Sequence, residues 1–219
     1  MKKFLLPLLL SLSLFAKDVT AILAVQWFPS VCKVERYKEC RKPLPFWQSH
    51  FTLHGLWPKG RQYCNVEARA KMLDKKRAWQ KIPLNISGLL EELLITYMPG
   101  ALSGLHKHEW VKHGSCYGPP DLYFLDSIAL VSQLNDSAVR YFFLRNRGKI
   151  VQTYKIRQVF DEAFGKGAGK RVKFICKDGY ITELRLSLKG QISAKTPLAD
   201  LLHNARPVRM GCKRGRIGR

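Results

Sequence analysis

The chain has 219 residues, with 38 Lys and Arg against 16 Asp and Glu, giving a formal net charge of +22 and a pI of about 10.0. Apolar residues make up 46% and charged residues 25%, which excludes a disordered polar tail, a collagenous repeat and a low-complexity linker, and suffices for one domain with a real core. Such a charge repels itself, so it points to a polyanionic partner (nucleic acid, anionic membrane or acidic glycan) or else to a solvated basic surface.

The elements follow in chain order. MKKFLLPLLLSLSLFA, residues 1–16, has a charged start, an apolar run and a small final residue, and reads as a secretory signal peptide. It is short of the ~20 apolar residues that span a bilayer, and no later stretch has that length, so no stable membrane insertion is expected after its removal. Residues 17–219 are expected to form a single domain. Removal of the signal leaves 36 basic against 16 acidic residues, so it explains little of the excess charge. Val19 to Trp27 is a β-prone run ended by Pro29 and suits a central strand. Residues 30–48, rich in Lys, Arg, Pro and Cys, read as a surface loop. From Ser49 to Leu53 the chain alternates, with His50, Thr52 and His54 on one side and Phe51 and Leu53 on the other, and Gly55 and Pro58 close that strand. Helical patterns follow at 67–79, from Leu89 to Tyr97 before Pro99-Gly100, and at 103–113, 121–134, 137–146 and 153–164.

The segment Gly165 to Gly169 lacks the ending of a phosphate-binding P-loop and reads as a breaker. Val172 to Cys176 and Tyr180 to Leu188 are two strands joined by the turn residues Lys177-Asp178-Gly179, and a last short strand is expected near Val208 to Cys212. Strands at both ends with helices between make an α+β domain. Six cysteines, Cys32, Cys40, Cys64, Cys116, Cys176 and Cys212, are an even count in an exported chain and read as disulfides whose pairing spacing alone leaves open.

Two islands concentrate chemistry-bearing residues: Phe51-Thr-Leu-His54-Gly-Leu-Trp57-Pro58, and Lys107-His108-Glu109-Trp110-Val-Lys112-His113-Gly-Ser-Cys116. On a helix Glu109 and His113 share a face, as do His108 and Lys112. His108 and His113, five apart, are separated by ~140° around a helix, so they do not form a zinc pair and no metal site or cofactor is expected. Histidines with a carboxylate and a lysine on a very basic exported chain suit cleavage of RNA. One imidazole takes the 2′-OH proton, another donates to the departing 5′-oxygen, and a cation steadies the phosphoryl oxygens. A non-catalytic binder of polyanions fits the same composition.

At these islands the sequence resembles the ribonuclease T2 family of secreted endoribonucleases. FTLHGLWP and HEWVKHGSC are similar to that family's two active-site segments, with Ser115 where Thr is common. The resemblance runs from Gln26 to Cys212 and is weak over residues 65–100. It implies a central antiparallel sheet flanked by helices, disulfide-stapled, and cleavage of RNA with broad base specificity to 2′,3′-cyclic phosphates and then 3′-phosphates, without metal. His113 would be the general base and His54 the general acid, Glu109 and Lys112 would stabilise the phosphorane, His108 would hold the phosphate, and Trp57 would stack a base. Several relatives carry an acidic residue where Lys59 stands, so base preference stays open. The resemblance implies pairings Cys64–Cys116, Cys32–Cys40 and Cys176–Cys212. Trp110 is expected to pack in the core.

Two charge runs remain. Residues 140–177 hold eleven Lys and Arg against Asp161 and Glu162, and residues 201–219 hold six and no acid. These read as a solvated face and a frayed tail, or as a track for the RNA backbone or another polyanion. Asn85 and Asn135 match the glycosylation pattern. The expectation is a monomeric periplasmic or secreted endoribonuclease, and the alternative is a catalytically silent basic relative that binds RNA or glycan.

Overall fold

The apolar run Val19–Trp27 forms strand β1 at the centre of the sheet. The structure, a computed structural model, describes residues 19–219, and the segment read as a signal peptide lies outside them. β1 pairs antiparallel with β2 (Phe51–Pro58) on one side and with β5 (Tyr180–Gly190) on the other, so both ends of the chain share one sheet. β4 (Val172–Lys177) returns on β5 through a two-residue turn. There Asp178 (φ 47°) and Gly179 (φ 78°) take the left-handed conformations that a tight hairpin needs. β6 (Arg214–Arg216) and β3 (Ile150–Gln152) complete the order β2-β1-β5-β6-β3, and the single β5–β6 pair is parallel.

The helices are α1 (Phe28–Val34), α2 (Pro45–Ser49), α3 (Ala68–Lys75), α4 (Gly88–Tyr97), α5 (Leu105–Lys112), α6 (Pro120–Asn135), α7 (Ala138–Arg145), α8 (Thr153–Phe164) and α9 (Leu198–His203). Of these, α4, α6, α7, α8 and α9 cover the apolar side of the sheet, where Leu23, Val25, Phe51, Leu53, Leu184, Leu186 and Leu188 meet Tyr123, Phe124, Leu130, Phe143, Ile156 and Phe160. The fold is α+β.

Three expectations need correction. Residues 30–48 are not a bare loop: α1 and α2 occupy much of the segment, each with a proline in its first turn. Proline has no N–H to lose there and its fixed φ favours starting a helix, so the Pro-rich reading mistook starts for breaks. The last strand lies at Arg214–Arg216 rather than at 208–212, where Gly211 makes only an isolated bridge to Phe174. The C-terminus is also not frayed. Ile217 is fully buried, Gly148 N–H donates to its carbonyl (2.7 Å), and Trp27 Nε1 donates to the Gly218 carbonyl (3.0 Å). Ile217→Ala should therefore cost about 2–5 kcal/mol, read as a fall in the urea midpoint at unchanged m. A midpoint within error of the parent would mean the tail adds nothing.

Part of the basic run is also structural. The Arg157 guanidinium donates to the carbonyls of Val172 (2.7 Å) and Val208 (2.9 Å), and Arg171 to those of Ala205 (3.0 Å) and Gly167 (2.7 Å). These arginines satisfy loop carbonyls between α8, β4 and the C-terminal segment, and so form neither a solvated face nor a track.

Candidate active site

The first island is a strand with one irregularity. Leu53 and Leu56 are both buried although they stand three apart, so the two-residue period slips between them. The register with β1 passes from Ala24↔Gly55 to Val25↔Leu53, which leaves His54 as the extra residue of a β-bulge. Bulges re-aim side chains, and this one sends His54 away from the core. Asn135, at the end of α6, clamps the strand: its side chain accepts from Phe51 N–H (2.8 Å) and donates to the Phe51 carbonyl (3.0 Å). Asn135 is buried by this role, whereas Asn85, the other pattern match, is exposed.

The second island is α5 and its C-cap. The helix ends at Lys112, and His113 caps it by donating its N–H to the Glu109 carbonyl (2.9 Å). A disulfide joins Cys64, beyond the first island, to Cys116, just past His113, and the others join Cys32 to Cys40 and Cys176 to Cys212.

Glu109, 1% exposed, is the meeting point. Its Oε1 lies 3.6 Å from His54 Nε2 and 3.8 Å from His108 Nε2, and its Oε2 accepts from Trp57 Nε1 at 2.7 Å. The Trp57 ring lies 5.3 Å from that of His54 and 5.5 Å from that of His113. Gly55 makes this approach possible, because a Cβ there would fall 2.0 Å from Glu109 Oε2 and 2.6 Å from Trp57 Nε1. Gly55→Ala should push Glu109 and Trp57 aside and cost about 1–3 kcal/mol of stability. Trp57 fluorescence would report the displacement, and an unshifted spectrum would refute it.

The structure thus gathers His54, His108, Glu109, Lys112, His113 and Trp57. His50, beside the first island, is not among them: it stacks on Phe46 at 4.1 Å. Trp110 packs against the core, with its Nε1 donating to the Gly118 carbonyl (3.4 Å).

Four further residues support the site and escaped the sequence reading. On β5, Glu183 Oε2 is 2.6 Å from His54 Nδ1, and its Oε1 accepts from Arg185 Nε at 2.6 Å. The Arg185 guanidinium lies over the Trp57 ring at 5.0 Å. On α3, Asp74 contacts His108 Nδ1 at 2.5 Å and accepts from the Tyr63 hydroxyl at 2.7 Å. A glutamate amid the apolar residues of Tyr180–Leu188 was a signal of a polar strand face. Asp74 and Tyr63 carried none.

The electrostatics separate the two histidines. Burial opposes charge on His54, but the hydrogen bond to Glu183 and the carboxylates of Glu109 and Glu183 outweigh it and raise its pKa. Burial, followed by the charges of Lys112, His108 and His54, lowers His113 to about 3. Burial raises the Glu109 carboxyl, against the pull of His54, His108, the Trp57 N–H and Lys112. Glu183 is held low despite its burial, by the hydrogen bond and charge of His54 and by Arg185. One imidazole is therefore held toward its protonated form and the other in its neutral form.

Two hollows flank the cluster. A cleft of about 650 Å³ is lined by His54, His108, Lys112, Gln26 and Trp79. A second hollow, of about 570 Å³, is lined by His113, Trp57, Lys59, Arg61 and Ile22.

The Ribonuclease T2 family model matches residues 19–197. Ribonuclease I of Escherichia coli (strain K12) is 29% identical over 221 residues, covering 87% of this chain and 82% of that protein. Ribonuclease T2-A of Mus musculus is 32% identical over 130 residues, covering 54% of this chain and 43% of its own. The self-incompatibility associated SF11-RNase of Nicotiana alata superposes with a TM-score of 0.56 at 17% identity, over 93% of this chain and all of that one, and so shares the fold. With the family model covering most of its length, the chain belongs to the ribonuclease T2 family.

Proposed function

We propose that the protein is an endoribonuclease that cleaves RNA by transesterification, using the 2′-hydroxyl as nucleophile and no metal. The observation that carries this reading is the pair His54 and His113 about the Trp57 ring, at 5.3 and 5.5 Å, one held toward its charged form and the other neutral, each lining its own hollow. His113 is neutral at working pH and takes the 2′-OH proton, and the 2′-oxygen attacks the adjacent phosphorus. His54, protonated, donates to the 5′-oxygen as the P–O bond breaks, and a 2′,3′-cyclic phosphate remains. The roles then reverse: His54 takes a proton from water, the water attacks phosphorus, and His113 returns a proton to the 2′-oxygen, leaving a 3′-phosphate.

Lys112 supplies positive charge to the phosphoryl oxygens, and Glu109, beside both His54 and His108, holds those two rings about the phosphate and so helps to stabilise the phosphorane. His108, oriented by Asp74, faces the same cleft and holds the phosphate. Glu183 is a positioning residue. By accepting from Nδ1 it fixes the tautomer of His54 and leaves Nε2 to deliver the proton. Trp57 offers a ring face on which any base can stack, which suits broad base specificity. Three disulfides suit an oxidising compartment, so the periplasm or the extracellular medium is the proposed location. Among the described residues no helix is long and apolar enough to cross a membrane.

The test is incubation of the mature protein with RNA in EDTA. The expected products are 2′,3′-cyclic and then 3′-phosphates, with DNA left intact. Inhibition by EDTA, or cleavage of DNA, would contradict the mechanism.

A further inference from the structure

Outside the cleavage site, the sheet face that carries Trp57 bears a row of cations. The strand register places them. Ile22 on β1 lies between Trp57 on β2 and Ser187 on β5, Thr20 pairs with Lys189, and Arg185 pairs with Lys173 on β4. Side chains alternate along a strand, and residues paired across strands share a face. Val172, Phe174, Leu184, Leu186 and Leu188 are all buried on the core side, so Lys173, Arg185, Ser187 and Lys189 stand on the other. Two contacts fix that face to the site: Arg185 over the Trp57 ring, and Lys59 Nζ donating to Ser187 Oγ at 3.2 Å. Lys173 and Lys189 are exposed. Among the described residues, the acid on this face is Glu183, which is buried and bonded to His54 and Arg185, and neither Lys173 nor Lys189 makes an ion pair.

The two hollows give the bound RNA a direction. His113 lines the hollow of Trp57, so the nucleotide whose 2′-OH attacks sits there, and His54 lines the cleft that takes the departing nucleotide. Ile22 forms one wall of the Trp57 hollow and is the register partner of Ser187, so that hollow opens onto the cationic row. From β2 to β4 is three strand spacings, roughly 14 Å.

We propose that Lys59, Arg185, Lys173 and Lys189 form a subsite for the RNA backbone on the 5′ side of the nucleotide seated on Trp57. The ligand class is a single-stranded phosphodiester, held by charge without base readout. The direction of the strand rests on the proposed roles of His113 and His54. Its outer part, Lys173 and Lys189, lies beyond the reacting nucleotides, so it raises affinity for longer RNA and leaves the chemical step alone.

The experiment compares three substrates in kcat/KM: a dinucleoside phosphate whose 5′ nucleoside is ribo and whose 3′ nucleoside is deoxy, the same unit extended at its 5′ end by two deoxynucleotides, and the same unit extended at its 3′ end by two deoxynucleotides. Each has one cleavable linkage. The parent should prefer the 5′-extended substrate by about fivefold or more at low salt. Two backbone contacts to a single strand should lose roughly sevenfold in affinity between about 50 and 200 mM salt. In the double variant Lys173→Gln/Lys189→Gln the ratio of 5′-extended to dinucleoside substrate should fall toward one, while the 3′-extended ratio stays as in the parent. A parent with no 5′ preference, a preference that survives the double variant, or a loss confined to the 3′-extended substrate would each overturn the proposal. Calorimetric binding of all-deoxy analogues makes the same comparison without cleavage, so a failed catalytic reading, seen as no cleavage by the parent, remains distinguishable from a failed subsite.

Discussion

His54→Ala and His113→Ala should each lower RNA cleavage by about 10³-fold, within the roughly 10²–10⁴ that a positioned acid or base provides. The two losses differ in kind, and a change of leaving group separates them. A nucleoside 3′-phosphodiester of p-nitrophenol has a leaving group that departs without protonation. His54→Ala should regain most of its activity on that substrate, because it lacks only the proton donor. His113→Ala should not, because the 2′-OH still has to lose its proton. Equal rescue of both variants, or of neither, would overturn the assignment of acid to His54 and base to His113. The structural reason for the asymmetry is plain. Two carboxylates face His54, whereas His113 sits among Lys112, His108 and His54.

Glu183→Gln should lower kcat by about tenfold at neutral pH, part of the effect of the acid it positions, and leave KM nearly unchanged. Glutamine still accepts from His54 Nδ1, so the tautomer survives and only the negative charge is lost. The sign follows from linkage. Glu183 helps to hold the His54 pKa above its ordinary value, against burial and the Arg185 charge, while Glu109 also raises it. Removing the Glu183 charge lowers that pKa, so the protonated acid disappears at a lower pH. The alkaline limb of the kcat/KM profile should therefore move to lower pH while the acid limb, set by His113, stays in place. Glu183→Ala, which also frees the ring to turn, should lose more. A profile that merely scales down without moving would show that Glu183 is structural only.

How much of this was legible in the sequence depends on the range of the interaction. Val19–Trp27 reads as a strand because it is rich in apolar, β-prone residues, and α4, α6, α7 and α8 read as helices because their spacing repeats every three or four residues. The hairpin at Asp178-Gly179 is read from two residues that tolerate positive φ. The short elements β3 and α9 escaped, since three and six residues carry too few periods to stand out. α1 and α2 were masked by prolines that start a helix as readily as they end one.

The site divides the same way. Its residues His54, Trp57, His108, Glu109, Lys112 and His113 are named by two contiguous strings, because one strand and one helix each supply several groups at fixed local spacing. Their chemistry is another matter. His54 and His113 have the same side chain, and nothing in either string says which carries a proton. That depends on Glu183, 129 residues from His54 in sequence, and on the burial of His113 in the folded chain. The tertiary structure decides it because proton affinity follows burial and charges within a few ångströms, and strand register alone brings Glu183 beneath His54. The net charge of +22 is likewise fixed by composition, but composition cannot allocate it. Folding commits Arg157 and Arg171 to loop carbonyls and seats the basic tail against Trp27, while it sets Lys173 and Lys189 in the open beside the site. Composition determined that the protein is strongly cationic; pairing across the sheet decided which cations are left to meet RNA.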